Sequence, residues 1–346
     1  MYSFRNDYAE GAHPAILKLM LDTNNEQAIG YGEDNYCRQA RELIREEIKC
    51  AKADIYFVSG GTQANLLAIA AALRPHEAVI AADCGHICVH EAGAVEATGH
   101  KIIMVAASDG KLKPDIVLPL LKLHEGDHHM VKPRLVYISN STEVGTVYDA
   151  QELAALHRFC HEHDLLLYVD GARLGVALTA SGNHLTMAEM AAYTDCFSIG
   201  GTKNGALIGE ALVVVDDTLK RDFIYQVKQR GALLAKGRLL GQQFLALFSE
   251  GLFYENARHA NQEAQHLKDG LQKLGYNLLS DSPTNQQFVV MARPGAEFFM
   301  QKYQCELWQD GQDELVLRFV TSWATPSWAI DELLNDFAMY RQAKGK

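Results

Sequence analysis

The sequence sets an acid and an amine at the ends of two successive apolar runs. Val169-Asp170-Gly171-Ala172-Arg173 closes the first, and Gly200-Gly201-Thr202-Lys203-Asn204-Gly205 closes the second, thirty-three residues later. A lysine among glycines at a buried strand end can approach a carbonyl closely, and burial lowers its pKa so that the neutral, nucleophilic amine is available. A carboxylate placed nearby can hold a pyridine nitrogen protonated, so that the ring accepts electrons. Together the two point to pyridoxal phosphate, with Lys203 as the Schiff-base former and Asp170 as the partner of the ring nitrogen. Either residue alone has an ordinary reading, as a turn aspartate or a solvated lysine. Order, separation and strand-end placement favour the joint one.

Three further groups of residues carry candidate chemistry. Ser59-Gly60-Gly61-Thr62-Gln63-Ala64-Asn65 follows the apolar run Ile55 to Val58 and opens a helical pattern. Small residues at a helix N-terminus let backbone amides meet a phosphate, and the Thr62 hydroxyl adds a donor, which makes Gly60, Gly61 and Thr62 the candidate cup. A capped strand-to-helix turn is the alternative. The run Asp83-Cys84-Gly85-His86-Ile87-Cys88-Val89-His90-Glu91 is dense in thiols and imidazoles. Four ligands would converge there only in an extended segment, whereas a helical turn is expected, so His86 reads as a ring stacked on the pyridine. His124, His128 and His129, and likewise His157, His161 and His163, read as solvated surface, and no metal site is expected. Arg318 is a lone cation inside the strand pattern Leu315 to Ser322; it is either an edge residue or, with Arg173, a fork for a substrate carboxylate.

Positioning such groups requires a sheet whose strand ends converge. Apolar runs at Asp54 to Val58, Ala78 to Ala82, Lys101 to Ala106, Arg134 to Ser139, Leu165 to Val169, Cys196 to Ile199 and Ala211 to Val215 alternate with helical patterns such as Gln63 to Leu73, Lys113 to Leu123 and Ala150 to His163. Continuous rather than alternating apolarity suits strands covered on both faces, hence an α/β fold with a mostly parallel sheet. Ligands bind beyond the carboxyl ends of such strands, where Gly60, Asp83, Asp170 and Lys203 all fall. Helices are expected over Leu219 to Arg230, Lys236 to Leu247 and Asn256 to Leu274, then strands at Gln287 to Ala292, Cys305 to Trp308 and Glu314 to Thr321 and a helix from Ser327 to Tyr340. The expected division is an arm with one helix, begun at Pro14, over residues 1–35, a large α/β domain over 36–249 and a small α+β domain over 250–346.

Composition narrows the class. A chain of 346 residues with 48% hydrophobic content can bury a large core, and a formal net charge of −11 argues against nucleic acid or anionic membrane as partner. No basic, apolar leader and no bilayer-length run is seen, so a cytoplasmic location is expected. Seven cysteines without framework spacing point to a reducing compartment and no structural disulfide.

Taken together, these motifs resemble the threonine aldolase and aromatic amino acid β-eliminating lyase family of fold-type-I pyridoxal phosphate enzymes. The resemblance runs from Arg5-Asn6-Asp7 through Gly30-Tyr31-Gly32-Glu33-Asp34, Ser59 to Thr62, His86 with Glu91-Ala92-Gly93, Asp170 to Arg173 and Thr202-Lys203 to Arg318-Phe319-Val320-Thr321-Ser322. It implies a Schiff base on Lys203, stacking by His86, Asp170 on the ring nitrogen and the phosphate on Gly60, Gly61 and Thr62. Substrate binding by Asn6, Arg173 and Arg318 is implied too, as are Tyr31 and a cation, Lys236 or Arg238, from a neighbouring copy in a homodimer or homotetramer. The implied reaction is retro-aldol cleavage of L-3-hydroxy-α-amino acids to glycine and an aldehyde. One departure bears on the base: in Ser139-Asn140-Ser141-Thr142-Glu143-Val144-Gly145, Thr142 stands where the family has a histidine. His86, directly or through a water, is the expected base, with Glu91 second. A β-eliminating or transaminating enzyme and a non-catalytic cofactor-binding protein are the alternatives.

Overall fold

In a computed structural model that describes residues 2–344, two sheets divide the strands. The larger comprises β1 (Asp54–Val58), β2 (Glu77–Ala82), β3 (Lys101–Val105), β4 (Lys132–Ser139), β5 (Leu166–Asp170), β6 (Cys196–Gly200) and β7 (Glu210–Val214), in the order β1-β7-β6-β5-β4-β2-β3. The second, ordered β10-β11-β9-β8, comprises β8 (Asn277–Leu278), β9 (Gln286–Ala292), β10 (Glu306–Asp310) and β11 (Glu314–Val320) and is antiparallel throughout. In the larger sheet only β7 runs against its neighbours, pairing antiparallel with both β1 and β6.

The unbroken apolar runs have a direct cause. Successive side chains of a strand point to opposite faces. Ile55, Phe57, Val136, Ile138, Leu167, Val169, Phe197 and Ile199 therefore join one core, while Val58, Leu135, Tyr137, Leu166, Tyr168, Cys196 and Leu212 join another across the sheet. Each core is closed by helices, among them Gly61–Ala72 on the second and Ala150–Glu162 on the first. The helix Ala150–Glu162 starts where Asp149 accepts from the Glu152 amide and the Glu152 side chain returns to the Asp149 amide. A third core gathers Val289, Leu317 and Phe319 of the smaller sheet with Phe299, Phe337 and Phe4. Phe4 is held there by its amide on the Tyr303 carbonyl and its carbonyl on the Val320 amide.

Some elements depart from the sequence pattern. The helix expected over Leu219 to Arg230 is two pieces, Asp217–Lys220 and Phe223–Gln229, because Asp216 caps the first and Asp222 takes a left-handed backbone with φ 60° between them. Helices at Asn35–Glu47 and Arg293–Tyr303 have no counterpart in the pattern reading. The first carried a signal, since Asp34 accepts from the Cys37 amide and Cys37, Ala40 and Ile44 share the buried face. All seven cysteines are free. Among the described residues no helix is long and apolar enough to cross a membrane.

Candidate active site

The carboxyl ends of β5 and β6 come together because two glycines let them. A Cβ on Gly171 would overlap the Ser198 carbonyl oxygen, and one on Gly200 would overlap the backbone of Ala172. This close crossing brings Asp170 and Lys203 to one cavity of about 350 Å³, lined also by Tyr8, Gly60, Gly61, Thr62, His86, Glu143, Arg173 and Glu210.

Asp170, the last residue of β5, is buried and fully engaged. Its Oδ2 accepts from Asn65 Nδ2 at 2.9 Å and from Tyr137 Oη at 2.8 Å, and its Oδ1 accepts from the Ala172 amide at 2.9 Å. Burial and the nearby Asp170 charge push the Tyr137 phenol well above its ordinary pKa, so it stays a donor. Three donors fix the direction of the carboxylate. Lys203 follows β6 in a short 3₁₀ turn, Thr202–Asn204. Its pKa is lowered, first by burial and next by Arg173, against the opposing pull of Asp7, Asp170 and Glu210.

Gly60 and Gly61 open the helix Gly61–Ala72, and a Cβ at either would meet nothing within 4 Å. The space above these glycines thus belongs to the cavity and admits an anion to the helix N-terminus, where Thr62 adds its hydroxyl. His86 starts the single helical turn His86–Val89 on the far wall. Its Nδ1 lies 2.8 Å from Glu91 Oε1, which also accepts from Asn65 Nδ2 at 2.6 Å. The ring is thereby oriented, with Nε2 left for the cavity.

The arginines are less alike than their sequence context suggests. Arg173 lays its Nε and Nη2 on the buried Asp7 carboxylate at 2.7 and 3.0 Å, and Asn285 Nδ2 binds Asp7 at 2.9 Å. Burial opposes ionisation of Asp7, but Arg173 and Lys203 outweigh it and hold the carboxyl below its usual range. The two-bond edge formed by Nε and Nη2 of Arg173 is therefore taken from within the chain, which leaves Nη1 of the expected substrate fork. Arg318, on β11, bonds Gln286 Oε1 at 3.0 Å and pairs with Glu306, while its buried Nε has no partner. Burial and the nearby Arg173 push its pKa down.

Other expected residues lie elsewhere. Asn6 is outside the cavity lining; its Oδ1 accepts from the Tyr8 amide at 3.1 Å, and it is Tyr8 that reaches the wall, its ring centroid 5.9 Å from Lys203 Nζ. Tyr31 lines a separate cleft with Ile224, and Arg238 bonds the Glu26 and Asn24 carbonyls, so within one chain neither joins the cavity. Lys236 is outside that lining as well.

Thr142, expected in the histidine position, is outside the cavity lining, its Oγ1 2.8 Å from that of Thr146. The residue turned to the cavity is Glu143, whose Oε1 accepts from the His86 amide at 2.9 Å and from Ser139 Oγ at 2.7 Å. Burial pushes its pKa up. Pattern reading also passed over Glu210, the first residue of β7. It is buried, its Oε2 has no partner, and burial raises its pKa to about 8 against the opposing effect of Lys203. A charged residue starting an otherwise apolar strand was the available signal.

Comparison with known proteins gives the family and the fold. Residues 3–294 match the family described as beta-eliminating lyase. A low specificity L-threonine aldolase of Pseudomonas sp. (strain NCIMB 10558) is 32% identical over 343 residues, 96% of each chain. The Pseudomonas aeruginosa protein of the same name is 30% identical over 97% of each. The solved structure of a Leishmania major threonine aldolase superposes with a TM-score of 0.97 at 44% identity, covering 99% of this chain and 100% of that one. A Thermus thermophilus aspartate aminotransferase, 18% identical with a TM-score of 0.70 over 98% of this chain and 90% of its own, shares the fold.

Proposed function

Because the chain belongs to the beta-eliminating lyase family, we propose that it uses pyridoxal 5'-phosphate to cleave L-3-hydroxy-α-amino acids, such as threonine or allo-threonine, into glycine and an aldehyde. Full-length relatives named low specificity L-threonine aldolase support this choice of reaction. The observation that carries it is the meeting of a donor-saturated Asp170 and an amine-favoured Lys203 in one cavity. Open space above Gly60 and Gly61 fits the cofactor's phosphate. When bound, pyridoxal phosphate supplies a carbonyl for the substrate amine and a ring that takes up the electron pair of the broken Cα–Cβ bond.

Each residue then has a defined task. Lys203 offers a neutral Nζ as nucleophile. Asp170, held in place by Asn65, Tyr137 and the Ala172 amide, would partner the ring nitrogen and keep it protonated. Gly60, Gly61 and Thr62 hold the phosphate at the helix N-terminus. His86, oriented by Glu91, would lie against the cofactor ring and take the β-hydroxyl proton at Nε2, directly or through a water. Arg318 meets the substrate carboxylate with its unpartnered Nε, and Arg173, locked to Asp7, adds a fixed positive charge and its remaining Nη1. In a homo-oligomer, Tyr31 and Lys236 or Arg238 of a neighbouring copy complete the site. The exposed Tyr31, Ile224, Tyr225 and Leu239 favour such a contact.

Incubating the purified protein with threonine and with allo-threonine tests the reaction. Glycine and acetaldehyde are expected, with Lys203→Ala inactive. Pyruvate and ammonia from serine or cysteine, without aldehyde from threonine, would instead assign β-elimination, the reaction for which the matched family is described.

A further inference from the structure

At the opposite, amino-terminal ends of β5 and β6, a second group of polar side chains converges outside the catalytic cavity. His157 and His161 sit at positions i and i+4 of the helix Ala150–Glu162, hence on one face, with ring centroids 4.1 Å apart. Asp195 immediately precedes β6 and is buried. One ligand atom from each of the three lies within 4.8 Å of the others, and His161 Nε2 is 3.0 Å from Asp195 Oδ1. His161 is exposed and His157 half-buried, as expected of surface residues, and the expectation did not foresee their meeting with Asp195. His163, by contrast, bonds the Phe159 carbonyl and stays out of the group.

The carboxylate is firmly placed. Asp195 Oδ2 accepts from the Leu167 amide at 2.7 Å, its amide donates to the Leu167 carbonyl, and its carbonyl accepts from the Val215 and Asp216 amides. Oδ1 is thereby aimed at the histidines. A buried carboxylate calls for a counter-charge. Among the described residues its ion-pair partner is His161 alone. Two imidazoles on one helical turn plus a rigid carboxylate form a ligand set suited to borderline transition ions, and unsuited to magnesium or calcium, which require oxygen shells.

We propose that His157, His161 and Asp195 bind a divalent transition-metal ion of the zinc class, with the fourth position open to water. With metal–ligand bonds of about 2.0–2.2 Å, tetrahedral ligands stand roughly 3.4 Å apart, so a separation within 4.8 Å closes by side-chain rotation. The ion ties the helix to the β5–β6 edge and neutralises Asp195. It lies at the strand ends remote from Asp170 and Lys203, so it acts on stability and leaves the chemistry untouched.

Cobalt(II) and zinc(II) titrations of the chelator-treated, full-length protein test this. Cobalt should give one site with weak visible bands of nitrogen and oxygen ligation, and zinc should displace it. Zinc should raise the melting temperature. Single His157→Ala and His161→Ala substitutions, on the half-buried and exposed helix face, should fold normally, weaken binding by about tenfold or more, and lose the thermal shift. Asp195→Asn should do likewise if it folds; the histidine variants decide the matter if it does not. Unchanged affinity in both histidine variants, or intense thiolate-to-cobalt bands from the free cysteines, would overturn the proposal.

Discussion

Two walls of the catalytic cavity treat buried carboxylates in opposite ways. On one, Asp170 receives donors from a helix, a neighbouring strand and its own turn. On the other, Glu210 has an oxygen without a partner and a pKa raised to about 8. Both belong to the same sheet and border the same lysine. The difference lies in the donors and the burial: Asp170 is bonded at both oxygens, whereas Glu210 leaves Oε2 bare in a buried place, and burial pushes its pKa up. One wall thus presents a carboxylate held by three donors, and the other a carboxyl whose proton is favoured by burial and opposed by Lys203.

The contrast can be broken in four places. Lys203 stands between the walls, and Lys203→Ala should lower threonine cleavage on the order of 10⁴-fold or more; full activity would remove the reason for comparing them. Asp170→Asn, which leaves the wall's shape intact and removes its charge, should lower kcat by roughly 10²–10⁴-fold with the protein still folded. A loss no larger than that of Glu210→Gln would show the two walls to be equivalent. His86→Phe keeps a flat ring and removes the proton acceptor; about 10²-fold lower kcat with cofactor absorbance retained is expected, and loss of the cofactor instead would reassign His86 to binding.

The smallest effect sharpens the contrast through pH. The Glu210 carboxyl has a folded pKa near 8 against an ordinary 4.5, so the folded chain holds this proton more tightly than the unfolded chain does. Its effect on stability is therefore full below about 4.5 and declines as pH rises to about 8. Glu210→Gln should flatten that decline between urea midpoints taken at about pH 5 and about pH 9, with activity reduced by no more than about tenfold. An identical decline in wild type and variant would contradict the protonated wall.

The parts of the site readable in the sequence are those built from contiguous residues at strand ends. Asp170 with Gly171, Lys203 with Gly200 and Gly201, and the Gly60-Gly61-Thr62 turn each announce themselves within a few positions, because strand termini fix where the chain must turn. The strand runs were legible for the same local reason. What was not legible depends on distant contacts. Nothing in the sequence near Arg173 shows that its fork is filled by Asp7, 166 residues away. Nor could spacing reveal that Glu143 rather than Thr142 faces His86, since a turn's exact direction decides which neighbour points inward. The helix Arg293–Tyr303 escaped because the strand pattern before it runs straight into it.

The docking of Phe4 has a consequence for the order in which this protein is made. Residues nearly three hundred positions apart or more meet here: Phe4 on Tyr303 and Val320, and Asp7 on Asn285. Until β11 has emerged, the amino-terminal segment that carries Asp7 and Tyr8 to the cavity has no place to settle, although the larger sheet is already complete in sequence. A chain ended before β11 is thus left with an unclamped Arg173, although the strands that lead to Asp170 and Lys203 are all present.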